Sequence, residues 1–323
     1  MSTFVGVDIA KKTFDVATPL PNGKYRTKGK LTNDSKGFAE FHAWLQKHVT
    51  PDVLIVMEAT GNYHEPLADF LHAKGYRLHV ANPSTTAAHA RTELARNKTD
   101  KTDAKLIADF AMQKHSKLRL WVPEPMARRR LRALVRRLED LNEMRQMEYN
   151  RLDVANANVR LSIESVIAHI SKEITDTETA IKQNIDDDTD LRGQSELIRS
   201  IDGIGEKTAA LILAELGDPL DYDGPKNLSS FAGLSPRQNA SGGFTGATHI
   251  SRIGCSRLRR GLYMPALTGM RYNEALKAFA DRLKANGKAP KQVVCAVMRK
   301  LLHLVYGVVK SNKPFDASIA LAK

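Results

Sequence analysis

Two short apolar segments rich in β-branched residues each run into a carboxylate: residues 3–9 (TFVGVDI) carry Asp8, and residues 52–57 (DVLIVM) end against Glu58. Segments of this length and composition form buried strands. An acid set into one costs free energy unless it is paired or bound to a metal. Around these two segments the chain alternates strand and helix. Residues 13–18 and the alternating stretch 24–31 read as two more strands, separated by a turn at Pro21-Asn22-Gly23. A helix is predicted over 35–49, with Phe38, Phe41 and Leu45 at helical spacing and Ser35 as its N-cap. Beyond 52–57 come a helix over 64–74 closed by Gly75, a strand over 77–81 stopped by Asn82-Pro83, and helices over 85–96 and 103–115. This order predicts a mixed α/β layer domain over residues 1–122.

If the strands bearing Asp8 and Glu58 are sheet neighbours, both carboxylates converge at one edge. Asp100 and Asp103 lie three apart in NKTDKTDAK, a spacing that puts both on one face of a helix. Four converging acids repel one another unless divalent cations neutralise them, and oxygen-only ligation suits Mg²⁺ or Mn²⁺. Two such ions can activate a nucleophile and stabilise a leaving oxygen in phosphodiester chemistry. Taken singly, each acid has an ordinary explanation: a strand-end Asp is commonly a turn or cap residue, and Asp100 can N-cap the helix that carries Asp103.

Composition changes abruptly at Trp121-Val122-Pro123-Glu124-Pro125. Next comes ARRRLRALVRRLEDL, where Leu131, Leu134, Leu138 and Leu141 keep a 3–4 spacing, and the pattern resumes at Ile163, Ile167, Ile170, Ile174, Thr177, Ile181 and Ile185. A long helical hairpin or coiled-coil spacer is expected over 123–195. Its apolar stripe serves dimerisation or packing on its own domain equally well. The run Asp186-Asp187-Asp188 reads as a solvated turn. A third, mainly helical domain is expected over 196–323, ending in a helix over 291–309 with a continuous apolar face. Within it, Ser200 to Ala210 (SIDGIGEKTAA) reads as a helix-hairpin-helix turn, in which Gly203 and Gly205 let backbone N–H groups reach a phosphate and Lys207 and Thr208 add donors. An ordinary glycine-turned hairpin fits the same residues.

The 323 residues carry a net charge of +13, with a pI near 9.7, which favours a polyanionic partner: nucleic acid first, an acidic membrane second. The candidate backbone contacts are Arg128, Arg129, Arg130, Arg132, Arg136 and Arg137 in the first basic run, and Arg252, Arg257, Arg259 and Arg260 in the second. Only Cys255 and Cys295 occur, without a CxxC pair, so neither a disulfide framework nor a zinc site is expected. The N-terminus reads as a strand rather than a signal peptide, and no stretch approaches the roughly 20 apolar residues of a membrane span. A soluble, cytoplasmic protein is expected.

The segments VGVDIAKKTFDV, MEATGNYHEPLADFL, VANPSTTAAHARTELARNKTDKTDAKLIADF and FAGLSPRQNASGG resemble the DEDD transposases of the "one-ten" insertion-sequence family, over nearly the whole chain. The resemblance implies an RNase H-like N-terminal domain, of the kind found in RuvC Holliday-junction resolvases, and a C-terminal transposase domain. The family's four acids fall on Asp8, Glu58, Asp100 and Asp103, and its motif serine on Ser241. By that resemblance Ser241 attacks the DNA phosphate and forms a transient phosphoserine link. From chemistry alone Thr245, Ser251 and Ser256 compete with it. The resemblance further implies a noncoding guide RNA that pairs with donor and target double-stranded DNA. The expected activity is site-specific recombination by strand cleavage, exchange and rejoining. It needs no ATP, in keeping with the lack of a GxxxxGK[ST] motif, and two duplexes call for a dimer or tetramer. Two rivals share these residues: a hydrolytic junction nuclease with water as nucleophile, and a nucleic-acid-binding protein whose acids are structural.

Overall fold

The computed structural model describes residues 3–59, 61–92, 100–237, 240–241, 244–245, 249–251 and 253–321; at 100, 101, 240, 241, 244, 245, 320 and 321 it describes the backbone alone. The chain divides into two compact units, residues 1–124 and 125–323.

The first unit is a five-stranded sheet in the order β3-β2-β1-β4-β5, built from β1 (Phe4–Ile9), β2 (Thr13–Pro19), β3 (Tyr25–Thr32), β4 (Leu54–Glu58) and β5 (Arg77–Ala81). The first three strands form an antiparallel meander, and β4 and β5 join parallel to β1. This mixed sheet is compatible with the expected RNase H-like arrangement. Two helices, α1 (Ser35–His48) and α2 (Glu65–Ala73), cover one face, where Val5, Val7, Ile9, Phe14, Val16, Ile55 and Met57 pack against Phe41, Leu45, Leu67 and Leu71. After β5 the chain forms α3 (Pro83–Thr92) and α4 (Asp100–Lys114). The opposite face receives α4, whose Ile107, Phe110 and Ala111 pack on Phe4, Leu54, Val56 and Ala81.

Of the boundaries that differ from the sequence expectation, those of α1 and α4 bear on the site. Asp34, not Ser35, caps α1: Asp34 is extended at φ −148° and its carboxylate accepts the Gly37 N–H at 3.0 Å, with the Thr32 hydroxyl donating to the same oxygen at 2.7 Å. Helix α4 is described from Asp100, so it includes a polar first turn (DKTD) that the apolar periodicity, which begins at Asp103, leaves out. Gly6 explains how closely α4 approaches: a Cβ there would lie 2.2 Å from the Ala104 carbonyl oxygen and 2.3 Å from the Ala108 nitrogen.

The second unit opens with α5 (Met126–Asp153) and α6 (Ala157–Asp186), a helical hairpin turned at 154–156. The isoleucine stripe lies inside it. Leu141 meets Ile170 and Ile174 along the hairpin, while Leu131, Val135, Ile181 and Ile185 join the core of the rest of the unit. Toward the turn the apolar side chains emerge into solvent, with Val154 84% and Leu161 81% exposed. Asp188 caps α7 (Thr189–Arg199), accepting the Asp190 and Leu191 N–H groups, which accounts for part of the acidic run. A turn then leads to α8 (Glu206–Leu216) and α9 (Pro225–Phe231).

Four two-residue strands follow: β6 (Pro236–Arg237), β7 (Ala240–Ser241), β8 (Phe244–Thr245) and β9 (His249–Ile250). The unit closes with α10 (Ser256–Gly261), α11 (Tyr263–Tyr272), α12 (Glu274–Ala285), α13 (Pro290–Ser311) and α14 (Ala317–Leu321). Contrary to the sequence expectation, α13 is long and apolar enough to cross a membrane by length and composition. Its Val297, Leu301, Leu302 and Val305 are instead buried in the unit's core.

Candidate active site and nucleic-acid interface

Strand register fixes where the acids stand. In the parallel β1/β4 pair, Gly6 is opposite Val56 and Val7 opposite Met57. Side chains alternate across a strand, so Asp8 and Glu58 share the face of Gly6 and Val56, which is the face α4 covers. Both lie at the C-terminal ends of adjacent strands. Helix α4 runs back along the sheet: Ala104 lies over Gly6, while His115 just beyond the helix stacks on Phe4, ring centroids 5.2 Å apart. Its first turn, with Asp100 and Asp103, therefore falls at the same edge as Asp8 and Glu58. Asp8, Glu58 and Asp103 are half-buried.

Neighbouring groups hold this edge in place. The buried Thr86 hydroxyl on α3 donates to Glu58 Oε2 at 2.6 Å. Asn33 Nδ2 donates to the carbonyls of Ala10 (3.3 Å) and Tyr63 (3.0 Å), tying the loop after β1 to the loop after β4. Asp15, on β2, stands directly opposite Asp8 and is buried. None of these three residues is among the site candidates the sequence nominates. Asp15 alone left a signal, an acid inside an apolar alternation (TFDVA) like that around Asp8.

A divalent cation fits the donor chemistry and the backbone placement: carboxylate oxygens only, from two strand ends and one helical turn on a single face. Among the described residues no three acids close around one point; the Asp100 side chain lies outside them.

Ser241 is placed by its backbone. Strands β6 and β9 pair antiparallel, with Arg237 opposite His249, and inside them β7 pairs with β8, Ser241 opposite Phe244. The base of this segment is tied to α9: Ser251 N–H donates to the Ser235 carbonyl at 2.8 Å and Cys255 N–H to the Phe231 carbonyl at 2.6 Å. The Ser241 side chain and all of Arg252 lie outside the described residues.

Of the nominated basic residues, most have partners inside the second unit. Arg128, 6% exposed, donates to Gln194 Oε1 at 2.9 Å and Asp218 Oδ2 at 3.3 Å. Arg132 donates to the Ala214 carbonyl, and Arg136 grips the buried Glu215 carboxylate through two bonds of 2.9 and 3.1 Å. Burial pushes the Glu215 carboxyl up, but the Arg136 guanidinium, helped by Cys255 and Arg257, outweighs it and holds the group below its usual range. Arg257 and Arg260 share Glu139, and Arg259 donates to the Ala232 carbonyl. Lys207 pairs with Glu178 at 2.6 Å. The Arg132 and Arg136 contacts arise because α5 lies against α8 and meets its carbonyls and carboxylates. Arg129 is half-buried and engaged as well. Arg130 and Arg137, seven residues apart on α5, are exposed and make no bond among the described residues. In the α7–α8 turn, Gly203 (φ +102°) packs inward, where a Cβ would come 2.8 Å from Gly269 N; Gly205 has open space before it.

Two family models and several known proteins are similar to the chain. Residues 5–155 match the DEDD transposases of the IS110 type, and residues 195–281 match the transposase IS116/IS110/IS902 family. DEDD transposases in general depend on divalent metal ions. The chain is 33% identical to the pilin gene-inverting protein of Moraxella bovis over 321 residues, covering 98% of both proteins. It is 22% identical to the transposase for insertion sequence element IS1328 of Yersinia enterocolitica, over 97% of this chain and 98% of that protein. A third relative, the insertion element IS110 43.6 kDa protein of Streptomyces coelicolor, is 27% identical over 38% of this chain and 30% of its own length. With acids gathered at one sheet edge and this similarity along its whole length, the chain belongs to the IS110 family of transposases, enzymes that recombine DNA.

Proposed function

We propose that the chain cuts and rejoins DNA at the ends of a mobile element through a phosphoserine intermediate on Ser241, with Asp8, Glu58, Asp100 and Asp103 holding Mg²⁺ or Mn²⁺. The observation that carries this reading is the shared sheet edge: Asp8 and Glu58 end adjacent parallel strands on the face where α4 begins with Asp100 and Asp103. The acids bind and orient the ions, which when bound neutralise charge on the scissile phosphate and lower the proton affinity of a hydroxyl beside it.

Ser241 Oγ attacks phosphorus and gives up its proton as one sugar hydroxyl leaves. The incoming strand's hydroxyl then attacks the same phosphorus and releases the serine. One phosphoester is exchanged for another at each step, so no ATP is consumed. Inversion, named in the Moraxella relatives, is the same exchange between two sites on one molecule.

Guidance by a noncoding RNA is part of the proposal. Specificity delegated to base pairing leaves the protein to grip backbones, and the surface suited to this is the exposed Arg130/Arg137 face of α5, with the Gly205 turn ahead of α8. A dimer or tetramer completes the reading. The exposed apolar side chains near the α5–α6 turn, Val154, Val159 and Leu161 among them, suit a self-association surface.

The test is covalent trapping, with the chain expressed beside its native element and flanking noncoding DNA. Wild type should leave protein attached to a DNA end, Ser241→Ala should neither cut nor attach, and Asp8→Asn should do neither while remaining folded. Equal cleavage by wild type and Ser241→Ala, with no attached protein, would establish water as the nucleophile instead.

A further inference from the structure

We propose that Asp15 is a fifth acid of this site, facing the same divalent cation as Asp8; the inference rests on the metal-binding role proposed for Asp8. In the antiparallel β1/β2 pair, Gly6 is opposite Ala17 and Asp8 is opposite Asp15. Directly opposed residues point to the same side of a sheet. Val7, Val16, Ile9 and Phe14 occupy the α1 face, so Asp8 and Asp15 both project on the α4 face.

Asp15 is only 7% exposed, and its carboxylate makes no hydrogen bond or ion pair among the described residues. The side chain is largely desolvated with no protein donor, although its oxygens are not among the fully buried unpartnered atoms, and partial desolvation of a carboxylate already costs free energy. A second acid opposite it, with Cβ atoms about 5 Å apart, adds like-charge repulsion. No apolar packing need explains an Asp at this point, since the neighbouring position on the same face is the small Ala17. A divalent cation between the two carboxylates removes both problems, because it supplies the missing partner and converts the repulsion into shared attraction.

The neighbouring strand is built around this residue. In the β2/β3 pair, Phe14 is opposite Leu31 and Val16 opposite Lys28, so β3 passes Asp15 with two residues, Gly29 and Lys30. Lys30 adopts a left-handed conformation at φ 59° to do so. Bulges of this kind re-aim side chains and gather beside active sites. Here the bulge interrupts the β2/β3 ladder at the one position where β2 carries a buried acid.

The experiment uses the full chain. Mn²⁺ binding is titrated by electron paramagnetic resonance, and the melting temperature is measured with and without Mn²⁺, for wild type, Asp8→Asn, Asp15→Asn and Asp15→Ser. Asp15→Asn should bind Mn²⁺ about tenfold more weakly than wild type, the scale seen when groups supporting a metal site are lost. Its metal-free melting temperature should rise, because the repulsion across β1/β2 is gone, and the increase on adding Mn²⁺ should shrink. A purely structural role would lower the metal-free melting temperature and leave Mn²⁺ affinity unchanged. Asp15→Ser is carried in parallel so that a folding defect in one variant does not decide the matter. Wild-type Mn²⁺ affinity in both Asp15 variants, with binding lost in Asp8→Asn, overturns the inference and leaves the four-acid reading standing. Absence of Mn²⁺ binding by wild type overturns both.

Discussion

Gly6→Ala tests whether the sheet–helix contact places the acids. The added methyl would lie 2.2 Å from the Ala104 carbonyl oxygen and 2.3 Å from the Ala108 nitrogen. Both are backbone atoms of α4, so no side chain can swing aside. Ordinary contact begins near 3.4 Å, which leaves 3.4 − 2.2 = 1.2 Å for the helix and sheet to yield. Overpacking of this kind costs about 1–3 kcal/mol. The larger consequence is positional: Asp103 sits one residue from the displaced Ala104, and a shift of about 1 Å in a reacting constellation lowers rate on the order of a hundredfold. Urea unfolding of the variant measures the first effect; excision of the native element from a donor plasmid in cells measures the second. A drop of about a hundredfold in excision with less than about 3 kcal/mol lost is expected. If Gly6→Ala recombines at the wild-type rate, the close approach of α4 does not set the position of the acids and the reasoning fails.

Two further outcomes follow from the second unit. Arg136→Met leaves the buried Glu215 carboxylate without its main partner, which should cost about 2–4 kcal/mol at neutral pH, less than a fully buried pair because the arginine is 43% exposed. Glu215 is held below its ordinary value of 4.5, so the pair's contribution is complete above that pH and is lost as pH falls through the lowered folded value; the stability gap between variant and wild type should close in acid. A gap that widens below pH 4.5 would contradict the ion-pair account. The double variant Arg130→Ala/Arg137→Ala should weaken binding to DNA of any sequence and flatten the dependence of log affinity on log salt by about 0.9 per lost phosphate contact. An unchanged slope would remove this face from the interface.

Much of the first unit was legible because its information is local. Short apolar runs marked β1, β4 and β5, and an acid at the end of a buried strand is conspicuous. What the residues alone did not reveal was adjacency: that β1 lies between β2 and β4, which makes Asp15 a neighbour of Asp8, depends on pairings made across the chain. The same limit applied to the arginines. A basic run on a helix reads as a nucleic-acid surface, and only the packing of α5 on α8 shows that Arg128, Arg132 and Arg136 meet Asp218, the Ala214 carbonyl and Glu215. The isoleucine stripe of α6 was readable as a stripe, but its partner, Leu141 in the same chain, was not.

Asn33 carries a mechanical consequence. Its backbone N–H donates to Lys12 and its side-chain amide to Ala10 and Tyr63, so one residue is bolted to both connections that leave the acid-bearing strands. One side chain thus couples the segment after Asp8 to the segment that follows Glu58, so removing the amide, as in Asn33→Ala, should loosen the spacing of the two strand ends without touching either carboxylate.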